Sequence, residues 1–145
     1  MRFTLRLISL LMVAAMLIAV PVFAEEAGTY SSLYFTSYGA YIYIRSGRTI
    51  EIWFDTMGKG LMDKIGVSSI QLERSLDGTN WIPDATFSPE DYPQMLEENT
   101  GSACNYVPYT AQYKYYYRAH VEFYGEKNNG CGYATYCTAV KYIPR

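Results

Sequence analysis

From Tyr38 to Tyr142 apolar and polar residues alternate in run after run, and turn-forming residues interrupt the runs at short intervals. A period of two sends successive side chains to opposite faces of an extended strand, so each run can bury one face and wet the other. Many short strands spaced this way predict an all-β fold, an antiparallel sandwich or barrel.

Tyr38 to Arg45 and Arg48 to Thr56 read as two strands joined across Ser46-Gly47. Pairing Ile44 with Ile50, Ile42 with Ile52 and Ala40 with Phe54 puts every aliphatic on one face. The same register sets Tyr43 and Tyr41 beside Glu51 and Trp53 on the other face. Met57 to Gly66 is glycine-punctuated and carries Leu61, Met62 and Ile65 at near-helical spacing, which predicts a loop with one helical turn. Val67 to Arg74 is a third strand with Ile70 and Leu72 facing in. In Ser75-Leu-Asp-Gly-Thr-Asn-Trp81, Asp77 and Gly78 have the chemistry of a tight hairpin turn, and Trp81 opens the return strand as a core residue. Residues 85–103 predict a long polar connection that holds most of the local acidic groups. Cys104 to Thr110, Tyr113 to Tyr124 and about Gly132 to Tyr142 complete the set of about seven strands.

The chain begins MRFTLRLISLLMVAAMLIAVPVFAEEAG, in which Arg2 and Arg6 precede an apolar run and Val22-Phe23-Ala24 offers a small residue before two glutamates. That is the pattern of a secretory signal peptide cleaved after Ala24. The expected organisation is a signal peptide over 1–24, an N-terminal extension over 25–35 and one domain over 36–145, without a membrane span in the mature chain. The mature 121 residues suffice to bury one core and would carry ten basic against fourteen acidic residues. No concentrated basic footprint is present, so a nucleic-acid partner is not expected.

Sixteen tyrosines crowd this chain, five of them between Ala111 and Gly125. Along that stretch one parity reads Tyr113, Tyr115, Tyr117, Ala119, Val121, Phe123, and the other reads Lys114, Tyr116, Arg118, His120, Glu122. Only the first is apolar enough to face a core, so most of the cluster is interior. Tyr115, near the start of the strand, is the candidate for a hydroxyl tied back to the preceding corner.

These residues resemble a known family. Tyr115-Tyr-Tyr117-Arg118-Ala119 with Val121 resembles the sixth strand of fibronectin type III and related immunoglobulin-like domains, and Ile70 to Trp81 resembles their third strand, turn and following Trp. Met62-Asp-Lys-Ile-Gly66, Ser75-Leu-Asp-Gly-Thr-Asn-Trp81 and Tyr116-Tyr-Arg-Ala119 together are similar to a family of small exported bacterial proteins of unknown function, over most of residues 31–142. The resemblance implies an immunoglobulin-like antiparallel β-sandwich and supplies no catalytic residues. Its topology would bring Cys104 and Cys131 to one end of the sandwich, which implies a Cys104–Cys131 disulfide and leaves Cys137 free for a disulfide-linked dimer.

No constellation points to catalysis or to a cofactor. His120 is the only histidine and falls on the outer parity of its strand, and no nucleophile elbow, phosphate loop or zinc spacing occurs. The acidic groups Asp84, Glu90, Asp91, Glu97 and Glu98 are loosely spaced, as solvated carboxylates are. The expectation is a secreted, non-catalytic binding module whose partner is an extracellular protein or a polysaccharide. Tyr41, Tyr43 and Trp53 form the candidate ligand-binding stripe.

Overall fold

The computed structural model describes residues 33–145. The expected signal peptide and most of the expected N-terminal extension lie outside these residues. Seven strands form one antiparallel sheet: β1 (Phe35–Ser46), β2 (Thr49–Ser75), β3 (Ile82–Phe87), β4 (Leu96–Thr110), β5 (Tyr116–Lys127), β6 (Gly130–Cys137) and β7 (Lys141–Tyr142). A single 3-10 turn, Pro93–Met95, precedes β4.

β2 is the axis of the sheet. Along one edge it pairs first with β1, from Thr49 to Gly58, and then with β5, from Lys64 to Ser75. Along the other it pairs with β4 from Thr49 to Gly66 and with β3 from Ile70 to Arg74. Since β1 and β5 succeed each other on one edge, the sheet curls into a half-barrel about β2. β6 follows on the far side of β5, and the two-residue β7 also pairs β5.

The β1–β2 register follows from the aliphatic pattern: Ile44 faces Ile50, Ile42 faces Ile52 and Ala40 faces Phe54. A one-residue slip would have turned these side chains out to water. They join Met62, Ile65, Val67, Ile70, Leu72, Val107, Val121 and Phe123 in one core on the concave side. Each large side chain so enclosed contributes about 1.5–3 kcal/mol.

Two expected connections are strands instead. Residues 57–66 form no helical turn but continue β2 as an extended bulge, in which β2 passes from Met57 to Met62 while β4 passes only from Ser102 to Thr100. Gly60, at φ +85°, takes the left-handed step in this bulge. Of the three apolar residues at near-helical spacing, Met62 and Ile65 are buried and Leu61 is exposed. The expected long connection over 85–103 shrinks to residues 88–95, because Leu96 onward belongs to β4 and pairs with β2. Gly66 marks the crossing. A side chain there would meet the carbonyl oxygen of Met95 at 2.1 Å, so only glycine lets the buried Met95 at the end of the 3-10 turn approach.

The tyrosine parity holds along β5 itself, where Tyr117, Ala119, Val121 and Phe123 are buried, but Tyr113 lies before the strand and is exposed. The hydroxyl tied to the corner belongs to Tyr117 rather than Tyr115: the Gln112 backbone N–H donates to it at 2.8 Å. Tyr115 instead lies half-buried beneath Arg74, whose guanidinium sits 5.0 Å from its ring centre. Tyr117→Phe strands the Gln112 N–H and is expected to cost about 1–3 kcal/mol, whereas Tyr115→Phe should stay within about 0.5 kcal/mol of wild type. Urea unfolding of the two variants measures the difference, and equal effects would contradict the assignment.

Candidate functional site

The outer face of β1, β2 and β4 gathers the aromatic side chains that the core does not use. The alternation that sends Ile42, Ile52 and Phe54 inward sends Tyr41, Tyr43 and Trp53 outward, with Tyr41 opposite Trp53 and Tyr43 opposite Glu51. Tyr41 and Tyr43 are 50% and 53% exposed, and Trp53 is half-buried. The Tyr41 and Trp53 rings are parallel within 3° at 6.3 Å between centres. On the other side of Trp53, Tyr106 of β4 stands 4.7 Å away, tilted by 32°. The first pair is stacked and the second tilted, both at aromatic contact distance, so the rings form a ladder across three strands.

A charged pair is set into the ladder. Glu51 is only 4% exposed. It takes a hydrogen bond from Arg45 Nη1 through Oε1 and one from the Trp53 indole N–H through Oε2, the latter at 3.0 Å. The Arg45 guanidinium holds the Glu51 carboxyl below the ordinary carboxylate range, against the opposing effect of desolvation, and the Trp53 bond adds to the lowering. Asp55 and Cys104 face each other at the rim of the same surface. The result is an aromatic face in which Trp53 is held by a parallel ring on one side, a tilted ring on the other and its own hydrogen bond.

The remaining expected positions are scattered. Asp77 and Gly78 lie in a six-residue connection, 76–81, rather than a two-residue hairpin, and of the two only Gly78 has positive φ, at +73°. Asp77 Oδ1 accepts the backbone N–H groups of Thr79 and Asn80 at 2.8 Å each, and these bonds drive its carboxyl strongly downward. Trp81 is outside the core: it is half-buried beneath the Arg118 guanidinium, which lies 4.3 Å from its ring centre. The acidic groups are dispersed as well. Asp84 pairs with Arg74 at 3.2 Å and accepts from the Tyr109 hydroxyl at 2.7 Å, burial and that bond pushing Tyr109 up to about 12. Glu98 pairs with Lys64. Among the described residues no group of three His, Cys, Asp or Glu could hold a metal ion.

His120 lies on the outer face of β5 in a shallow groove of about 380 Å³ of mixed character, lined also by Ser69, Gln71, Glu122, Thr135, Tyr136 and Cys137. Its Nε2 is 3.1 Å from Glu73 Oε2, which also accepts from Arg118 Nε at 2.7 Å. Desolvation works to raise the Glu73 carboxyl, but the bonds and charges of Arg118 and His120 outweigh it and leave the group below its usual range.

The cysteines are three exposed free thiols, so the expected Cys104–Cys131 bridge is not formed. Cys104 of β4 is level with Asp55 of β2, whereas Cys131 of β6 faces Glu126 of β5, which is level with Lys64. Two strands and a long stretch of β2 separate the two thiols, far beyond the span of about 7 Å between Cα atoms that a disulfide tolerates.

Tyr106 and the ladder it completes escaped the sequence reading. The signal would have been the alternation of Tyr106 with buried Val107, but placing Tyr106 beside Trp53 requires the β2–β4 register, which no local pattern encodes.

No protein-family model matches the chain, and neither a curated protein nor a solved structure matches it.

The face should be acid-sensitive. Glu51 is held low in the folded chain, so its contribution is fully present above the ordinary carboxylate range and is lost as pH falls through the depressed value. The wild-type Tm is expected to fall as pH is lowered from about 6 to about 3. Glu51→Gln should reduce the steepness of that fall, leaving the part due to Glu73 and Asp77, and melting curves across the range test it.

Proposed function

We propose that the chain is an exported, non-catalytic module of immunoglobulin-like type that binds a partner through the outer face of β1, β2 and β4. The observation that carries the reading is the aromatic ladder Tyr41–Trp53–Tyr106, braced by the Arg45–Glu51 pair and flanked by half-exposed Tyr43. Tyrosine, tryptophan and arginine are the side chains that most often dominate binding energy, since they offer large contact area and a polar tip at small entropic cost. Rings already stacked lose little further freedom when a partner docks on them.

The immunoglobulin-like part is supported by the grouping of strands. β1, the first half of β2 and β4 form one set, and β3, the second half of β2, β5 and β6 form the other, with Tyr117 bonded back to the corner before its strand. Export rests on the leader-like first 24 residues. The non-catalytic part rests on the dispersal of the acidic side chains and the position of the only histidine on an open sheet face, where Glu73 occupies one ring nitrogen.

The parallel Tyr41 and Trp53 rings favour, as the second reading, a polysaccharide partner, because a sugar ring packs its C–H face on an aromatic plane while the flanking charged groups serve its hydroxyls. The test is binding of wild type beside Trp53→Ala to a panel of immobilised cell-surface and plant polysaccharides, with circular dichroism as the control for folding. Wild type is expected to bind at least one of them and Trp53→Ala to bind at least tenfold more weakly, about 1.4 kcal/mol. Undiminished binding by Trp53→Ala would remove this face from the reading. Wild type failing on every polysaccharide would reject the glycan partner in favour of a protein one.

A further inference from the structure

β6 is an edge strand among the described residues: it pairs with β5 on one side and with no strand on the other. Its outward parity is Cys131, Tyr133, Thr135, Cys137, opposite Glu126, Tyr124, Glu122 and His120 of β5. Both thiols are exposed on the convex face of the sheet. They cannot bond to each other, since six residues of extended strand hold them about 20 Å apart. Cys104 is out of reach of either, being level with Asp55, whereas Cys137 is level, through His120, with Gln71 at the other end of β2. The chain contains three cysteines, so every intramolecular pairing is closed.

The spacing of the two β6 cysteines is self-complementary. Ala134 lies midway between them. When two copies of β6 run antiparallel with Ala134 opposite its own copy, Cys131 falls opposite Cys137 of the second copy, and Cys137 opposite Cys131. The same register sets Tyr133 beside Thr135 of the other chain. Directly opposed residues in antiparallel strands have Cα atoms about 4.5 or 5.5 Å apart, and both values lie within the disulfide range. A two-fold axis through Ala134 thus generates two identical bridges from one edge contact, without any new surface.

We propose that the chain forms an edge-to-edge dimer of two β6 strands, closed by two reciprocal Cys131–Cys137 disulfides. The oxidant is a small disulfide, R–S–S–R. The Cys137 thiol loses its proton to the His120 imidazole, which faces it across the ladder and is oriented by Glu73. The thiolate attacks one sulfur of R–S–S–R, forming Cys137–S–S–R and releasing RS⁻, which takes up a proton. The exposed Cys131 thiol of the second copy then loses its proton to solvent, its thiolate attacks the Cys137 sulfur, and the second RS⁻ it expels takes up a proton. Each bridge oxidises two protein thiols and reduces one small disulfide to two thiols. The groups facing His120 and Cys137 are Glu73, Gln71 and Ser69 from β2, Arg118 and Glu122 from β5, and Thr135 from β6. This inference is independent of the ligand face on β1, β2 and β4.

The test uses the purified protein incubated with oxidised glutathione, then non-reducing electrophoresis and mass mapping of chymotryptic peptides, since cleavage after Tyr133 and Tyr136 puts Cys131 and Cys137 in separate peptides. Wild type should run at doubled mass, revert with dithiothreitol and yield a Cys131–Cys137 cross-linked peptide. Cys104→Ser should behave as wild type. Cys131→Ser and Cys137→Ser should each abolish the covalent dimer, since each removes one partner from both bridges, and circular dichroism should find both variants folded. A dimer that persists in Cys131→Ser would mean a simple Cys137–Cys137 bond and overturn the register. A cross-link through Cys104, or a glutathionylated monomer as the sole product, would overturn the proposal outright.

Discussion

The whole molecule hangs on the two hydrogen-bonded edges of β2. Each backbone N–H and C=O that enters the core must find a partner, and over 27 residues β2 supplies partners to β1, β3, β4 and β5 in turn. The strand is therefore less a member of the sheet than its spine. Where its partner along one edge changes from β1 to β5 it needs room to bend, which the bulge between Met57 and Met62 and the side-chain-free Gly66 provide. The concave core and the convex aromatic face are both consequences of that bend.

The same alternation builds both faces. Every aliphatic that β1 and β2 send inward leaves a neighbour pointing out, and in this stretch the neighbours are tyrosine, tryptophan and a carboxylate. Trp53 illustrates how closely the two are coupled. Its backbone lies between Ile52 and Phe54, both fully enclosed, so its ring has no freedom to translate. Its indole is then fixed by Glu51, which is itself fixed by Arg45. The core thus sets the position of the outer ladder, and the ladder in turn shields the buried carboxylate from water.

How much of this was legible follows from where the information lay. The β1–β2 register could be read because two adjacent segments carry matching aliphatic stripes across Ser46-Gly47, and that register alone places Tyr41, Tyr43 and Trp53 on one face. The β5 parity was legible for the same reason. The two segments misread as loops, 57–66 and the start of β4, are largely each other's partners: Met62 meets Thr100, Lys64 meets Glu98 and Ile65 meets Glu97. Neither has strand-like chemistry of its own. One is rich in glycine and the other in acid groups, and each is extended because the other is. Tyr106 and the Tyr117 corner depend on such long-range placement, whereas the separation of Cys104 from Cys131 emerges only once the order of strands is known.

A spine whose partners come late in the chain also sets the order of events as the protein acquires its shape. β1 and β2 can close as a hairpin soon after both exist, but Thr49 waits for Thr110, and Ser75 waits for Tyr116. Until β4 and β5 are present, a long strand rich in isoleucine has an open edge, and the loop entropy of closing it is paid before the core returns anything. Contacts of such long sequence separation favour slow folding. That delay leaves the exposed β2 edge in need of protection until its last strands arrive.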